Sequence, residues 1–263
     1  MILFTGNSAI SRAFLEMFPC KIISARKLNN VELAFWIMKT DVIIHNAAVL
    51  NANNYKDYIE GNFILTKRII DLVNDIKPSI KFLNISSMSI LSGDNEYLHF
   101  EKMTDYGFSK FIAEQYCLNS PLRNKTNIRF STIFYADEKR DGISKLIFDC
   151  VNRNEIILYN DGSSTRDILP MKTLCQYLYR LSKMKVLNQT VNIVSGKVYS
   201  FREIAHYLKA KNNKLIINNL SENVKYILSD FSKNDIEYLG FIDVDIENEL
   251  SIYYDRLNED INI

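Results

Sequence analysis

Short apolar runs alternate with amphipathic stretches through the first two-thirds of the chain, the rhythm of a parallel α/β sheet. The predicted strands are Ile2-Phe4, Lys21-Ser24, Val42-His45, Lys81-Ile85 and Ile128-Ile133. The predicted helices are Ala9-Phe18 (stopped by Pro19), Val31-Met38, Tyr55-Ile76, Tyr106-Leu118 and Gly142-Asn152. In the long Tyr55-Ile76 stretch, Ile59, Phe63, Ile69, Ile70 and Val73 keep a helical stripe. Asn62 lies on or beside that stripe, where a polar side chain requires a partner. Beyond residue 152 the texture changes. Glu155-Tyr159 reads as a strand, Asn160-Asp167 as a polar loop, Met171-Lys183 as a helix and Val191-Val194 as a strand. Ser200-Ala210 reads as a helix capped by Ser200 with Glu203 three residues on, and Glu247-Leu257 as a last helix.

Composition narrows the class without naming it. At 263 residues, 47% hydrophobic and 24% charged, the chain fits one large α/β domain with a smaller lobe. A formal net charge of +1 gives no electrostatic reason to expect nucleic acid or a membrane surface. No stretch has the apolar length of a membrane span, and the N-terminus runs into a strand without a signal pattern. Cys20, Cys117, Cys150 and Cys175 form no C-x-x-C pair, which predicts free thiols in a reducing cytoplasm and no metal site.

Three constellations carry chemistry. Thr5-Gly-Asn-Ser-Ala-Ile-Ser11 follows a strand and opens a helix, the geometry that sets a pyrophosphate on a helix N-terminus. Gly6 supplies the tight turn, Asn7 and Ser8 offer side-chain donors, and Ala9 and Ser11 stand near the places of further glycines; a plain βα turn is the alternative. Asp41-Val-Ile-Ile-His-Asn-Ala-Ala48 is a buried strand ending in small residues. Ala47 and Ala48 let a flat ligand approach the strand's carboxyl end, with Asn46 as a polar contact. The third is Tyr106/Lys110. Tyr-x-x-x-Lys also occurs at Tyr135/Lys139, Tyr179/Lys183 and Tyr207/Lys211, so position selects among them. Only Tyr106 follows an apolar strand ending in a serine cluster, Phe82-Leu-Asn-Ile-Ser-Ser-Met-Ser89. Residues i and i+4 share a helix face, and a lysine ammonium there favours tyrosinate. Ser87, ahead of Ser86 and Ser89, would polarise a carbonyl or alkoxide oxygen while Tyr106 transfers the proton.

On these residues the chain resembles the extended short-chain dehydrogenase/reductases, the nucleotide-sugar epimerase, dehydratase and reductase group. Thr5-Gly6 with Ile10 looks like the start of its glycine-rich loop. Asp41-Ala48, Glu60-Gly-Asn62, Ile85-Ser-Ser-Met-Ser-Ile-Leu91 and Tyr106-Gly-Phe-Ser-Lys-Phe-Ile-Ala-Glu114 are similar to successive family segments. Ile157-Leu-Tyr-Asn-Asp-Gly-Ser-Ser-Thr-Arg-Asp-Ile168, Val191-Asn-Ile-Val-Ser-Gly196 and Tyr238-Leu-Gly-Phe241 resemble later landmarks. The resemblance implies a Rossmann-like doubly wound parallel sheet with a small C-terminal α/β lobe. Residues 1–152, with 186–200 returning to them, are the expected dinucleotide-binding domain, and 153–263 mainly the substrate lobe. It implies a catalytic set of Ser87, Tyr106 and Lys110, with cofactor contacts from residues 6–11, Asn46, Ala47, Ala48, Asn62, Tyr106 and Lys110. Substrate contacts are implied at Val49, Ser87, Thr132 and Arg166, the last on a sugar nucleotide's diphosphate, where a guanidinium fork suits two phosphate oxygens.

Departures from the family pattern shape the expected reaction. Met88-Ser89 stands where the dehydratases carry Asp-Glu, which argues against loss of water. The glycine loop is eroded, and Arg26-Thr40 is too short for the usual extra strand beside adenine. Both suggest exchangeable cofactor. Arg26, with Lys27, would accommodate a 2′-phosphate, so NADPH is expected over NAD. The resulting expectation is a cytoplasmic reductase of a nucleotide-activated 4-keto-6-deoxysugar in surface-polysaccharide synthesis. The alternatives are a nucleotide-sugar 4-epimerase holding NAD tightly and an inactive NAD(P)-binding protein. Helices 55–76 and 106–118 would pair across a two-fold axis in a homodimer.

Overall fold

The computed structural model describes residues 1–91, 97–137, 141–185, 188–221 and 239–261. Six strands form one parallel sheet: β1 (Ile2–Phe4), β2 (Lys21–Ile22), β3 (Val42–His45), β4 (Lys81–Ile85), β5 (Lys125–Phe130) and β9 (Thr190–Ile193). Their order is β2-β1-β3-β4-β5-β9. The inner strands β1 and β3 are buried along their whole length, which is why they read as unbroken apolar runs. The chain reverses its winding between β1 and β3, so the loops after these two strands open on the crevice where such sheets hold ligands.

Helices flank this sheet: α1 (Ala9–Met17), α2 (Asn30–Met38), α3 (Tyr55–Tyr58), α4 (Leu65–Ile76) and α5 (Asp105–Asn119). Apolar residues of α2, α4 and α5 meet β1, β3 and β4 in a core that includes Leu3, Ile43, Ile70, Phe82 and Cys117. The predicted helix over 55–76 is continuous in course but not in geometry. Between α3 and α4 it passes through a π-helical turn, Ile59–Ile64, and Asn62 sits in that turn. π-helical turns inside α-helices concentrate at functional sites, since the extra residue re-aims its neighbours.

The chain divides into two compact units, residues 1–130 with 175–193, and 131–174 with 194–263. The predicted strand Ile128-Ile133 straddles this division. It ends as β5 at Phe130 and resumes as β6 (Thr132–Phe134) in another sheet. Between them, Ser131 turns its hydroxyl to Asp167 at 2.5 Å. Helix α6 (Gly142–Arg153), assigned from sequence to the first domain, belongs to the second unit.

In the second unit, β8 (Thr165–Pro170) lies between β6 and β10 (Val198–Ser200), and β7 (Glu155–Tyr159) pairs in parallel with β11 (Ile216–Leu220). Helices α6, α8 (Phe201–Lys211) and α9 (Ile246–Ile261) pack on them around Phe134, Ile147, Cys150, Leu208 and Tyr253. Helix α7 (Met171–Lys183) runs from one unit's chain into the other's. Ser200 and Glu203 form the expected reciprocal cap on α8. The polar loop of the sequence reading is shorter than expected. Asn160, Asp161 and Gly162 turn with φ of 50°, 54° and 64°, residue types that tolerate this region, and β8 starts at Thr165. Tyr238 and Lys139, named in the sequence reading, lie outside the described residues.

Candidate active site

The loop after β1 is built more firmly than its missing glycines suggest. Ser8 caps α1 by accepting from the Ser11 amide, and the Ser8 amide donates to Ser11 Oγ at 2.8 Å. Ser11 Oγ also donates to the Gly6 carbonyl at 2.8 Å. From the end of β3, Asn46 Oδ1 accepts from the Gly6 amide at 2.8 Å, and its Nδ2 donates to the Gly6 carbonyl and Ser8 Oγ at 2.9 and 2.8 Å. Asn46 and Ser11 therefore shape the loop, and Asn46 also lines the cleft beside it. Gly6 is required by close approach, since an added Cβ would stand 2.8 Å from Ala47 Cα. Ile10 points its side chain into the core. The N–H groups of Ala9 and Ile10, in the first turn of α1, have no intrahelical acceptor by helix geometry. Residues 5–8, 24–27 and 46–48 enclose a cleft of about 180 Å³.

His45 organises the floor of this region, a role that its place in an apolar strand did not reveal. Its ring is buried, with Nδ1 2.7 Å from Thr5 Oγ1 and Nε2 2.8 Å from Thr66 Oγ1. Burial first, then the cations Lys110 and Arg26, lower its pKa from 6.5 to about 3. The sign follows directly. Between about pH 3 and 6.5 the unfolded chain binds a proton that the folded chain refuses, so acid favours unfolding. The His45 contribution at about pH 5 is expected to fall by roughly 2 kcal/mol from its neutral-pH value. Urea unfolding at the two pH values, with His45→Gln removing the slope, checks this.

Asn62 has the partners its position demanded. Fully buried, it accepts from the Val49 amide at 2.6 Å and donates to the Val49 carbonyl and Ser109 Oγ at 3.1 and 2.9 Å. Ser109 Oγ in turn donates to the Tyr106 carbonyl at 2.7 Å. Asn62 thus ties the loop after β3 to helix α5.

Tyr106 and Lys110 sit on α5 beside the end of β4. Lys110 is 3% exposed and donates through Nζ to the Ile85 carbonyl at 2.6 Å, so it is no solvated lysine. Burial lowers its pKa from 10.5 to about 8, and the Glu114 carboxylate opposes the fall. Two residues beyond Ile85, Ser87 caps a 3₁₀ turn, Met88–Ile90, accepting from the Ser89 amide at 3.1 Å. Ser87 Oγ is 2.8 Å from Ser89 Oγ. The start of α5 abuts this turn, because a Cβ on Gly107 would stand 3.1 Å from the Ser89 carbonyl. Ser86 faces the interior instead, which leaves Ser87 and Ser89 as the serines on the open side. Tyr106 is half-buried, its ring edge-on to Tyr58 with centroids 6.1 Å apart.

Below Lys110 lies a charged network that the sequence reading missed. Glu114, fully buried, pairs with Arg129 of β5, whose Nε donates to Oε2 at 3.0 Å and whose Nη2 donates to Oε1. Tyr97 donates to Glu114 Oε1 at 2.8 Å and accepts from Arg129 Nη2 at 2.8 Å. Burial and then Glu114 raise the Tyr97 phenol above its ordinary pKa. An arginine between Ile128 and Phe130 in a predicted strand was the available signal, with Glu114 one turn beyond Lys110 as its partner.

The two expected substrate contacts outside this unit have their own surroundings. Thr132 opens β6, paired with Ile168. Arg166 lies on β8 opposite Tyr199, donates to the Thr165 carbonyl at 2.7 Å and lies over the Phe201 ring at 5.5 Å. Asp167 beside it is buried and accepts from the Ser195 and Gly196 amides at 2.9 and 2.7 Å. Among the described residues no group of His, Cys, Asp or Glu could hold a metal ion, and no helix is long and apolar enough to cross a membrane.

The model of the NAD dependent epimerase/dehydratase family matches residues 8–194, most of the chain. The chain belongs to this family. A curated relative, GDP-6-deoxy-D-talose 4-dehydrogenase of Aggregatibacter actinomycetemcomitans, is 22% identical over 239 residues, 83% of this chain and 81% of the relative. Among solved structures, MoeE5 in complex with UDP-glucose and NAD has a TM-score of 0.79 at 17% identity, covering 99% of each chain. The dTDP-glucose 4,6-dehydratase of Bacillus anthracis in complex with NAD has a TM-score of 0.79 at 15% identity, covering 98% of this chain and 96% of its own. These structures share the Rossmann-like sheet with an added C-terminal α/β region.

The comparisons correct one expectation, the preference for NADP. MoeE5 and the dehydratase are bound to NAD, and TunA of the same fold is NAD dependent. RMD from Pseudomonas aeruginosa, complexed with NADPH, stands apart from them in this respect. The physical reason lies in Arg26. It lines the cleft, but its Nη2 donates to the Gly61 carbonyl at 3.3 Å, so part of the guanidinium is already engaged by the backbone of the π-helical turn.

Proposed function

We propose that the protein is an NAD-dependent enzyme that oxidises and re-reduces one carbon of a nucleotide-activated sugar, an epimerase-type reaction with NAD retained on the chain. The observation that carries this reading is Lys110 seated on the Ile85 carbonyl, with Tyr106 one turn before it and Ser87 just beyond the same strand. The cleft of residues 5–8, 24–27 and 46–48 suits the diphosphate part of a dinucleotide: Gly6, Ser8, Ala47 and Ala48 allow close approach, and the first-turn amides of α1 suit a diphosphate. Bound there, NAD supplies the acceptor and donor of hydride.

The chain's own residues move and hold the proton. The Lys110 ammonium favours the Tyr106 phenolate, which takes the proton of the sugar hydroxyl as its carbon is oxidised and returns it on reduction. The Ser87 hydroxyl donates to the same sugar oxygen, its own oxygen already held by the Ser89 amide. Arg166 is our choice for the substrate diphosphate.

Retention of NAD is supported by the loop. Its bonds from Ser8, Ser11 and Asn46 remove the argument that missing glycines mean weak binding. Absence of an acid pair at Met88-Ser89 argues against dehydration. A second reading, reduction of a nucleotide-bound 4-keto-6-deoxysugar, is favoured by the curated 4-dehydrogenase relative. The two separate cleanly. Denaturing the purified protein is expected to release NAD, and UDP-, dTDP-, CDP- or GDP-sugars are expected to epimerise without added reductant. NAD-free protein that consumes NADH with 4-keto sugars would establish the second reading.

A further inference from the structure

We propose that Tyr58 is a positioning residue that couples closure of the 49–52 loop over substrate to the placement of Tyr106; the part played by substrate rests on the reading above. Two side chains, both on the segment from α3 into the π-helical turn, hold this loop. Asn62 grips its base through both the amide and the carbonyl of Val49. Tyr58 grips its tip: its hydroxyl accepts from the Ala52 amide at 3.2 Å and donates to the Leu50 carbonyl at 3.3 Å. Without the phenol, these two backbone groups lose the partner they share.

The same two side chains also hold the proton donor. Asn62 reaches the Tyr106 carbonyl through Ser109, while the Tyr58 ring packs edge-on against the Tyr106 ring at 6.1 Å. Tyr58 and Asn62 are four residues apart and share one helix face. Gly61 between them lets the loop lie close, for a Cβ there would stand 2.3 Å from Val49 Cγ2. The loop leaves the carboxyl end of β3, where a ligand of this sheet sits. A substrate that presses on Leu50 or Ala52 therefore acts on the ring that steadies Tyr106. The hydroxyl of Tyr58 senses the loop and its ring sets the donor, so the two functions separate by substitution.

Tyr58→Phe keeps the ring and removes the hydroxyl; Tyr58→Leu removes both. In Tyr58→Phe, amide exchange at Ala52 is expected to quicken about fivefold, the effect of one hydrogen bond, with the fluorine resonance of 3-fluorotyrosine at position 106 unmoved. In Tyr58→Leu that resonance is expected to shift as well. Unchanged Ala52 exchange in the first variant, or an unmoved resonance in the second, overturns the proposal. These two readouts need no substrate, so they stand whether or not the reading of the reaction does. With a substrate in hand, Tyr58→Phe should raise KM more than it lowers kcat, and Tyr58→Leu should lower kcat; equal effects on both would contradict the division of roles.

Discussion

Glu114→Ala is expected to destabilise the fold by about 3–5 kcal/mol, because it strands a buried guanidinium. Glu114 is fully buried and Arg129 only 6% exposed. The carboxylate takes hydrogen bonds from Arg129 Nε and Nη2 and from Tyr97, so its loss leaves the cation with the Tyr97 hydroxyl alone among these partners. Removing both charges is a different experiment. Glu114→Leu with Arg129→Met fills the space with apolar atoms, and a buried pair replaced in this way costs little or nothing. The double variant should therefore recover most of the stability that the single variant loses. Urea midpoints of the three proteins decide it, and a single variant within about 1 kcal/mol of the parent would contradict the buried pair.

Tyr106→Phe is expected to lower turnover by about a hundred- to ten-thousand-fold, the range for loss of a positioned proton donor. NAD affinity should change little, because the cleft of residues 5–8 and 46–48 is untouched. Lys110 gives this prediction a pH signature. Its pKa is lowered to about 8 by burial, so the ammonium that supports the tyrosinate is present below that pH and lost above it. Turnover should decline as the pH rises through about 8. The stability effect has the opposite sign: above about 8 the unfolded chain still binds the proton, so the folded state gains as pH rises toward 10.5.

What the sequence disclosed and what it concealed divide along physical lines. Strands buried on both faces, such as β3 and β4, announce themselves as apolar runs, and their predicted bounds coincide with the observed ones. Order of motifs singled out Tyr106 and Lys110 from four similar pairs. Asn62 was legible as a polar residue on an apolar stripe, although the π-helical turn that holds it leaves no periodic trace. Two short or polar strands of the second unit were silent: β10 has three residues, and β11 is Ile-Ile-Asn-Asn-Leu. The cofactor loop hid its construction for a related reason. Counting glycines measures backbone freedom, whereas this loop is held by side chains, Asn46 from one strand away and Ser11 from within the helix. Arg26 misled because its charge was visible but its acceptor, the Gly61 carbonyl 35 residues on, was not. Tyr58 and Tyr97 carry no pattern of their own, and only tertiary contacts give them roles.

The most direct test of the account is the nicotinamide absorbance of the NAD-loaded protein after a nucleotide sugar is added. The parent should show transient formation of NADH with at least one nucleotide sugar, and Tyr106→Phe, loaded with NAD to the same extent, should show none. NADH formation that survives in Tyr106→Phe at the parent's rate would contradict the assignment of Tyr106 as the group that moves the proton.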